Sequence, residues 1–145
     1  MINPAHRIYV HVAWTTLDRR PMIDHPTRLF LDRFFRKVAI AEKVEVVTLA
    51  ILQTHVHAIF RLPTRFDLSR LMQQLKGGSS YEASRLEGNR VGLRWSREYS
   101  ADSISPRALP RAIAYVATQD RHHPTEAIAA AARQRSASPS TRFSV

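Results

Sequence analysis

Cysteine is absent from the 145 residues. That excludes a disulfide framework, thiolate catalysis and cysteine-based zinc sites, and it suits the cytoplasm, the expected location. No apolar run is long enough for a signal peptide or a membrane span, so no membrane partner is expected. There are no internal repeats, and the length points to one domain. Acidic residues are scarce beside basic ones: 12 Asp and Glu against 22 Lys and Arg, a formal net charge of +10. Such a surface attracts polyanions, nucleic acid first among them. Lysine is nearly missing, since 19 of the 22 cations are arginine. Its planar fork binds phosphate through two donors, although a genome rich in G and C would produce the same bias.

What is present alternates between strand and helix periodicity. In Arg7–Thr15, Tyr9, His11 and Ala13 fall on one side and Ile8, Val10, Val12 and Trp14 on the other, which predicts a β-strand. Leu31, Phe34, Phe35 and Val38 fall at helical spacing from Thr27 to about Glu42. Val44–Leu52 and Val56–Leu62 are rich in β-branched residues and read as a hairpin turning at Gln53-Thr54. Asp67 can cap a helix with Leu68, Leu71, Met72 and Leu75 on its core face, and Gly77-Gly78 should loosen or end it, with Ser79–Leu86 resuming. Leu93–Tyr99 alternates and reads as the last strand. Ser100–Ser105 reads as a polar linker, and Ser105, Pro106 and Pro110 as the start of a final helix with Ile113, Val116 and Ala117 on its apolar face. The order β-α-β-β-α-β-α predicts an α+β, ferredoxin-like antiparallel sheet with helices packed on it, over residues 1–124. Residues 125–145, Ala-rich and then Ser/Arg-rich, read as a flexible tail.

Two groups of residues carry chemistry. His55 and His57 lie two apart on a strand, so both imidazoles stand on one face and can share a metal ion. Taken alone, the pair reads more readily as two surface histidines. Tyr115 and Gln119 are four apart on the final helix, on one face, joined by Thr118 and His122. Taken alone, Tyr115 reads equally as an amphipathic residue at the core edge. Together the parts suit phosphodiester cleavage. A phenol is a nucleophile. Two neutral imidazoles and an amide oxygen leave a divalent ion open positions for phosphate and water. A basic surface holds the strand.

These segments resemble the single-tyrosine HUH transposases of the smallest bacterial insertion sequences, and their relatives associated with repetitive extragenic palindromes. RIYVHVAWTT resembles the family's first strand, and THVHAIFRLP its His-hydrophobic-His strand followed by proline. DLSRLMQQLKGGSS resembles the helix with the Leu-Lys-Gly/Ser-x-Ser end. LRWSREYS resembles the tryptophan-bearing strand, and AYVATQ the catalytic helix. The resemblance spans Ile8 to Pro124. It implies that Tyr115 is the nucleophile, forming a 5′-phosphotyrosine and releasing a 3′-hydroxyl. It further implies that His55, His57 and Gln119 hold Mg²⁺ or Mn²⁺, and that Lys76 lies near DNA; Arg94 and Arg97 are the further candidate DNA contacts. The partners implied are single-stranded DNA with imperfect hairpins and a second copy of the chain in a homodimer, with no nucleotide cofactor. Where the family often has Asp or Asn before the first histidine, this chain has Thr54. Where the palindrome-associated relatives often have Asn-Pro after the catalytic helix, it reads QDRHHP, as in the insertion-sequence branch.

Two alternatives remain at this point. One is a catalytically inactive or domesticated hairpin-binding relative, and the other a relaxase-like HUH nickase. The linker reading of Ser100–Ser105 would also let the Tyr115 helix reach a partner subunit and build shared sites.

Overall fold

A computed structural model describes residues 6–86 and 92–128. Four strands form one antiparallel sheet. β1 (Ile8–Thr15), β2 (Glu45–Ile51), β3 (His55–Leu62) and β4 (Ser100–Ile104) lie in the order β2-β3-β1-β4, with every pairing antiparallel. Helices α1 (His25–Ala41), α2 (Leu68–Ala83), α3 (Leu109–Ala117) and the single turn α4 (Gln119–His122) complete the expected order. The α+β, ferredoxin-like architecture is therefore present. Among the described residues, no helix is long and apolar enough to cross a membrane.

Strand alternation creates two chemically different sheet faces. Val10, Val12 and Trp14 of β1 and Val56, Ala58, Phe60 and Leu62 of β3 are buried with Leu31, Phe35 and Ala39 of α1 and Leu71, Met72 and Leu75 of α2. Trp14 meets Phe35 and Trp95 edge-on, at centroid distances of 5.4 and 5.9 Å. The opposite face carries His11, Ala13, His57 and Ile59, and α3 packs there against β2 and β3. Asp24 caps α1 by accepting from the Thr27 amide, and Asp67 caps α2 by accepting from the Arg70 amide.

Three sequence expectations are corrected. First, α2 runs unbroken through Gly77-Gly78. Glycine is needed at 78 for proximity rather than for a stop, because a Cβ there would lie 2.7 Å from Phe34 Cζ. Second, Leu93–Tyr99 forms no extended strand. Its alternation does place Leu93 and Trp95 against the core, and Trp95 Nε1 donates to Ser79 Oγ at 2.9 Å. Yet the segment makes only an isolated bridge, between Trp95 and Thr16 just beyond β1, flanked by the Ser96 amide on the Thr15 carbonyl and the Leu17 amide on the Arg94 carbonyl. Third, Ser100–Ile104 is no linker. It is the edge strand β4, with Ser100 opposite Ala13 and Ile104 opposite Tyr9. Backbone pairing with β1 overrides the weak strand propensity of these polar residues. The supposed tail also begins inside the described structure, since Pro124–Glu126 forms a 3₁₀ turn bonded to Gln53 of the β2–β3 turn; residues 129–145 lie outside the described residues.

The Phe34 contact makes the two glycines unequal. A Cβ on Gly77 meets nothing within 4 Å, so Gly77→Ala should stabilise α2 by up to about 1 kcal/mol through helix propensity. Gly78→Ala gains the same propensity but crowds Phe34, with an overpacking cost of about 1–3 kcal/mol. Thermal melts should place Gly78→Ala below Gly77→Ala, and Phe34→Leu added to Gly78→Ala should narrow the gap. Equal melting temperatures for the two single variants would refute the close approach.

Candidate active site

Register builds the site on the face away from α1 and α2. β1 and β3 pair with Ala13 opposite His57 and Thr15 opposite His55, so His11 and His57 are diagonal neighbours. The His11 Nε2 to His57 Nδ1 distance is 2.9 Å, and the rings stack at 5.1 Å. His55 and His57 rings also lie 5.1 Å apart, nearly perpendicular.

The turn before β3 is anchored from two directions. Thr16, fully buried, donates its amide to the Thr54 carbonyl at 2.8 Å, and its hydroxyl donates to the Arg20 carbonyl at 2.6 Å. Asp18 and Arg19 adopt left-handed backbone, φ 55° and 52°, which turns the chain so that the Arg19 guanidinium reaches Glu126 Oε1 at 3.6 Å. From the other side, the Gln53 amide donates to the Glu126 carbonyl at 2.8 Å, and Gln53 Nε2 donates to the Ala127 carbonyl at 2.9 Å. These bonds bring the Glu126 carboxylate to the Thr54 hydroxyl, which donates to Oε1, and to within 3.1 Å of His55 Nδ1.

A cavity of about 530 Å³ opens beside this cluster, lined by His55, His57, Tyr115, His123, Arg19 and Tyr99, among others. Tyr115 comes from α3 of the same chain. It is 46% exposed, and its ring lies 6.1 Å from that of His57 and 5.1 Å from that of His122. The stretch whose linker reading would let this helix reach a partner is β4, and a single chain brings Tyr115 and His57 together.

Gln119 takes a different position. α3 ends at Thr118, whose φ of −112° and ψ of 25° leave the helical region, and Gln119 starts α4. The side chains buried beneath the helix are Val116 and Gln119, while Ala117, expected on the apolar face, is exposed. Gln119 is 1% exposed and lines a second cavity beside Leu49, Ile51 and Arg28, not the one holding the histidines. Its Nε2 donates to the Tyr115 carbonyl at 3.3 Å, and its Oε1 is buried with no hydrogen-bond partner.

Lys76 spends its ammonium on the carbonyls of Arg97 and Glu98, at 2.9 and 3.3 Å, and sits 5.7 Å above the Tyr99 ring. It thus holds the 97–99 segment. Arg94 and Arg97 are exposed. Lys76, Arg97 and Tyr99 line a surface groove, and Tyr99 also lines the histidine cavity, so the two are contiguous.

The electrostatics favour neutral imidazoles. Burial, followed by the charges of His55, His11, His123 and Arg19, pushes His57 down to about 3. Burial also lowers His55, against the opposing pull of Glu126, and lowers His11 against Asp102. For Glu126, burial acts upward but is outweighed by the Thr54 hydrogen bond and by His55, Arg19 and His123, so the carboxylate stays ionised. The donor set therefore fits a divalent cation: two unprotonated imidazoles share one cavity. Among the described residues, no group of three or more His, Asp or Glu side chains is arranged to hold a metal ion, so the remaining ligands would be other oxygens. Sequence reasoning missed His11, His123 and Glu126. Alternation already put His11 on the polar side of β1, which was the available signal; nothing local marked Glu126.

Comparison with known proteins gives a consistent result. Residues 4–119 match the model of a family described as "Transposase IS200 like". No curated protein matches. Among solved structures, the REP-associated tyrosine transposase bound to a REP hairpin is similar, with a TM-score of 0.67 and 17% identity over 81% of this chain and 69% of that one. A candidate transposase from Deinococcus radiodurans R1 is similar as well, with a TM-score of 0.60 and 18% identity over 78% of this chain and 91% of that one. At these identities the likeness establishes the shared fold.

The depressed His57 sets a pH dependence for the metal-free protein. Unfolded, this imidazole titrates at 6.5; folded, at about 3. Between those values the unfolded chain holds a proton that the folded chain does not, so stability must fall as pH drops through that window. With chelator present, the melting temperature should decline from pH 6.5 towards 3, and His57→Gln should flatten the decline. A decline of the same depth in the variant would contradict the assignment.

Proposed function

The chain belongs to the IS200-like transposase family, and from that premise we propose that it cuts and rejoins single-stranded DNA through Tyr115. The observation that carries the reading is the half-exposed phenol beside His57 in one open cavity, with neutral imidazoles around it. Tyr115 Oη attacks the scissile phosphorus; the new P–Oη bond forms as the P–O3′ bond breaks. The departing 3′-oxygen takes up a proton and leaves as a hydroxyl, while the phenol loses its own. The strand is then held as a 5′-phosphotyrosine, and attack by another 3′-hydroxyl reverses the step, so no nucleotide cofactor is needed.

His55 and His57 would hold a divalent ion, Mg²⁺ or Mn²⁺, which when bound supplies Lewis-acid polarisation of the phosphate. Gln119 is proposed as a further ligand on the strength of its unpartnered buried Oε1. Its place in the second cavity means that the chain must readjust at the Thr118 break to deliver it. The structural relative bound to a REP hairpin supports an imperfect DNA hairpin as the ligand. The groove of Lys76, Arg97 and Tyr99 shares Tyr99 with the cavity and suits the single strand, and exposed Arg94 is proposed as a further phosphate contact. Tyr115 and the histidines meet within one chain, which favours a site built from a single subunit, whether or not the protein pairs as a homodimer.

Incubation with hairpin-bearing single-stranded DNA and Mn²⁺ should give a covalent protein–DNA band. Tyr115→Phe should abolish the band while hairpin affinity changes less than about threefold; a persistent adduct would remove Tyr115 from its role. His57→Ala, or chelator, should lower cleavage at least about 100-fold and leave most hairpin binding, because phosphate contacts dominate affinity. Mixing His57→Ala with Tyr115→Phe protein should restore no cleavage after subunit exchange. Recovered activity would show shared sites and overturn the single-subunit arrangement.

A further inference from the structure

We infer that Glu126, acting through the Thr54 hydroxyl, is a positioning residue that fixes the tautomer and orientation of His55, and that it ties this metal-ready state to the seating of the Tyr115 helix. The inference rests on the proposed role of His55 as a metal ligand.

Thr54 has one hydroxyl proton, and an ionised carboxylate can only accept. Thr54 Oγ1 donates to Glu126 Oε1, so towards His55 Nδ1, 3.0 Å away, the same oxygen can only accept. Glu126 Oε1 itself lies 3.1 Å from Nδ1 and is likewise an acceptor. Both neighbours of Nδ1 therefore demand a proton there. In a neutral imidazole this leaves Nε2 unprotonated, with its lone pair free for a cation. A carboxylate behind a histidine in this way orients the ring and raises its basicity as a ligand.

Position along the chain supplies the second half. Glu126 follows Tyr115 by eleven residues, through α4 and the 3₁₀ turn Pro124–Glu126. The segment is pinned to the β2–β3 turn by the two Gln53 bonds to the carbonyls of Glu126 and Ala127, and to Arg19 by an ion pair. The residue that orients His55 thus sits on the continuation of the helix that carries the nucleophile. His57 has its own support from the opposite side, where His11 Nε2 lies 2.9 Å from His57 Nδ1.

The test uses the full chain and two readouts. Imidazole ¹⁵N spectra of the metal-free protein should report His55 as the Nδ1–H tautomer. Glu126→Ala should shift it towards a mixture, and the near-isosteric Glu126→Gln, whose amide oxygen still accepts from Thr54, should largely preserve it. Calorimetric titration with Mn²⁺ should show affinity reduced roughly 10–100-fold in Glu126→Ala and mostly restored in Glu126→Gln. His55 protonated on Nε2 in the unsubstituted protein, or an unchanged tautomer in a folded Glu126→Ala, overturns the inference. So does loss of Mn²⁺ affinity in Glu126→Gln equal to that in Glu126→Ala with the tautomer intact, which would make Glu126 a ligand. If the unsubstituted protein binds no Mn²⁺, the metal reading fails while the tautomer still decides the role of Glu126.

Discussion

The pairing of β1 with β3 is the constraint on which the rest of the molecule depends. A strand has two faces and a period of two, so one register decides what every side chain on both strands can touch. With Ala13 opposite His57, the residues Val10, Val12, Trp14, Val56, Ala58 and Phe60 all face α1 and α2, and His11 and His57 face away. A slip of one residue would put imidazoles into the aromatic core and valines into the cavity. The hydrophobic driving force for the core is thus also what aims the chemistry.

The second layer is thinner and more polar. α3 packs on β2 and β3, and Ile59, Val116 of α3 and Gln119 of α4 are all buried. The cavity beside it is bounded by chain segments that meet only in the folded state: β1 and β3, Arg19 of the left-handed turn, the 96–100 segment, Tyr115 and His123. Its charged lining residues are Arg19 and Glu98, and Arg19 also pairs with Glu126, 107 positions away in the chain.

How much of this was legible in the sequence follows from the range of the forces involved. Patterns set by burial over one element could be read: the alternation of β1, the helical stripe of Leu31 and Phe35, the His55/His57 pair on one face. Features set by a partner in space could not. Gly77-Gly78 reads as a helix stop until Phe34 is placed over position 78. Ser100–Ile104 has no strand-like composition, and only the open edge of β1 recruits it. The alternation of Leu93–Tyr99 reads as a strand, yet its backbone joins no ladder; Leu93 and Trp95 pack on the core while Arg97, on the same side by alternation, is exposed. Tyr115 and Gln119 share a face on an ideal helix, and the break at Thr118 separates them, with Gln119 continuing the buried side. Glu126 lay in what read as a tail, and its role depends on contacts with Thr54 and Arg19 that no local spacing encodes.

The division of the sheet into a face that holds the fold and a face that holds the cavity has an evolutionary consequence. Tyr115 is half exposed and His57 lies outside the aromatic core, so drift at either position meets little resistance from folding. On the proposed roles of Tyr115 and His57, descendants can lose chemistry in one step and persist as intact proteins with the same basic surface. Selection on such a lineage would act on what it grips, and a small transposase-family protein of this architecture is therefore ready material for recruitment by a host.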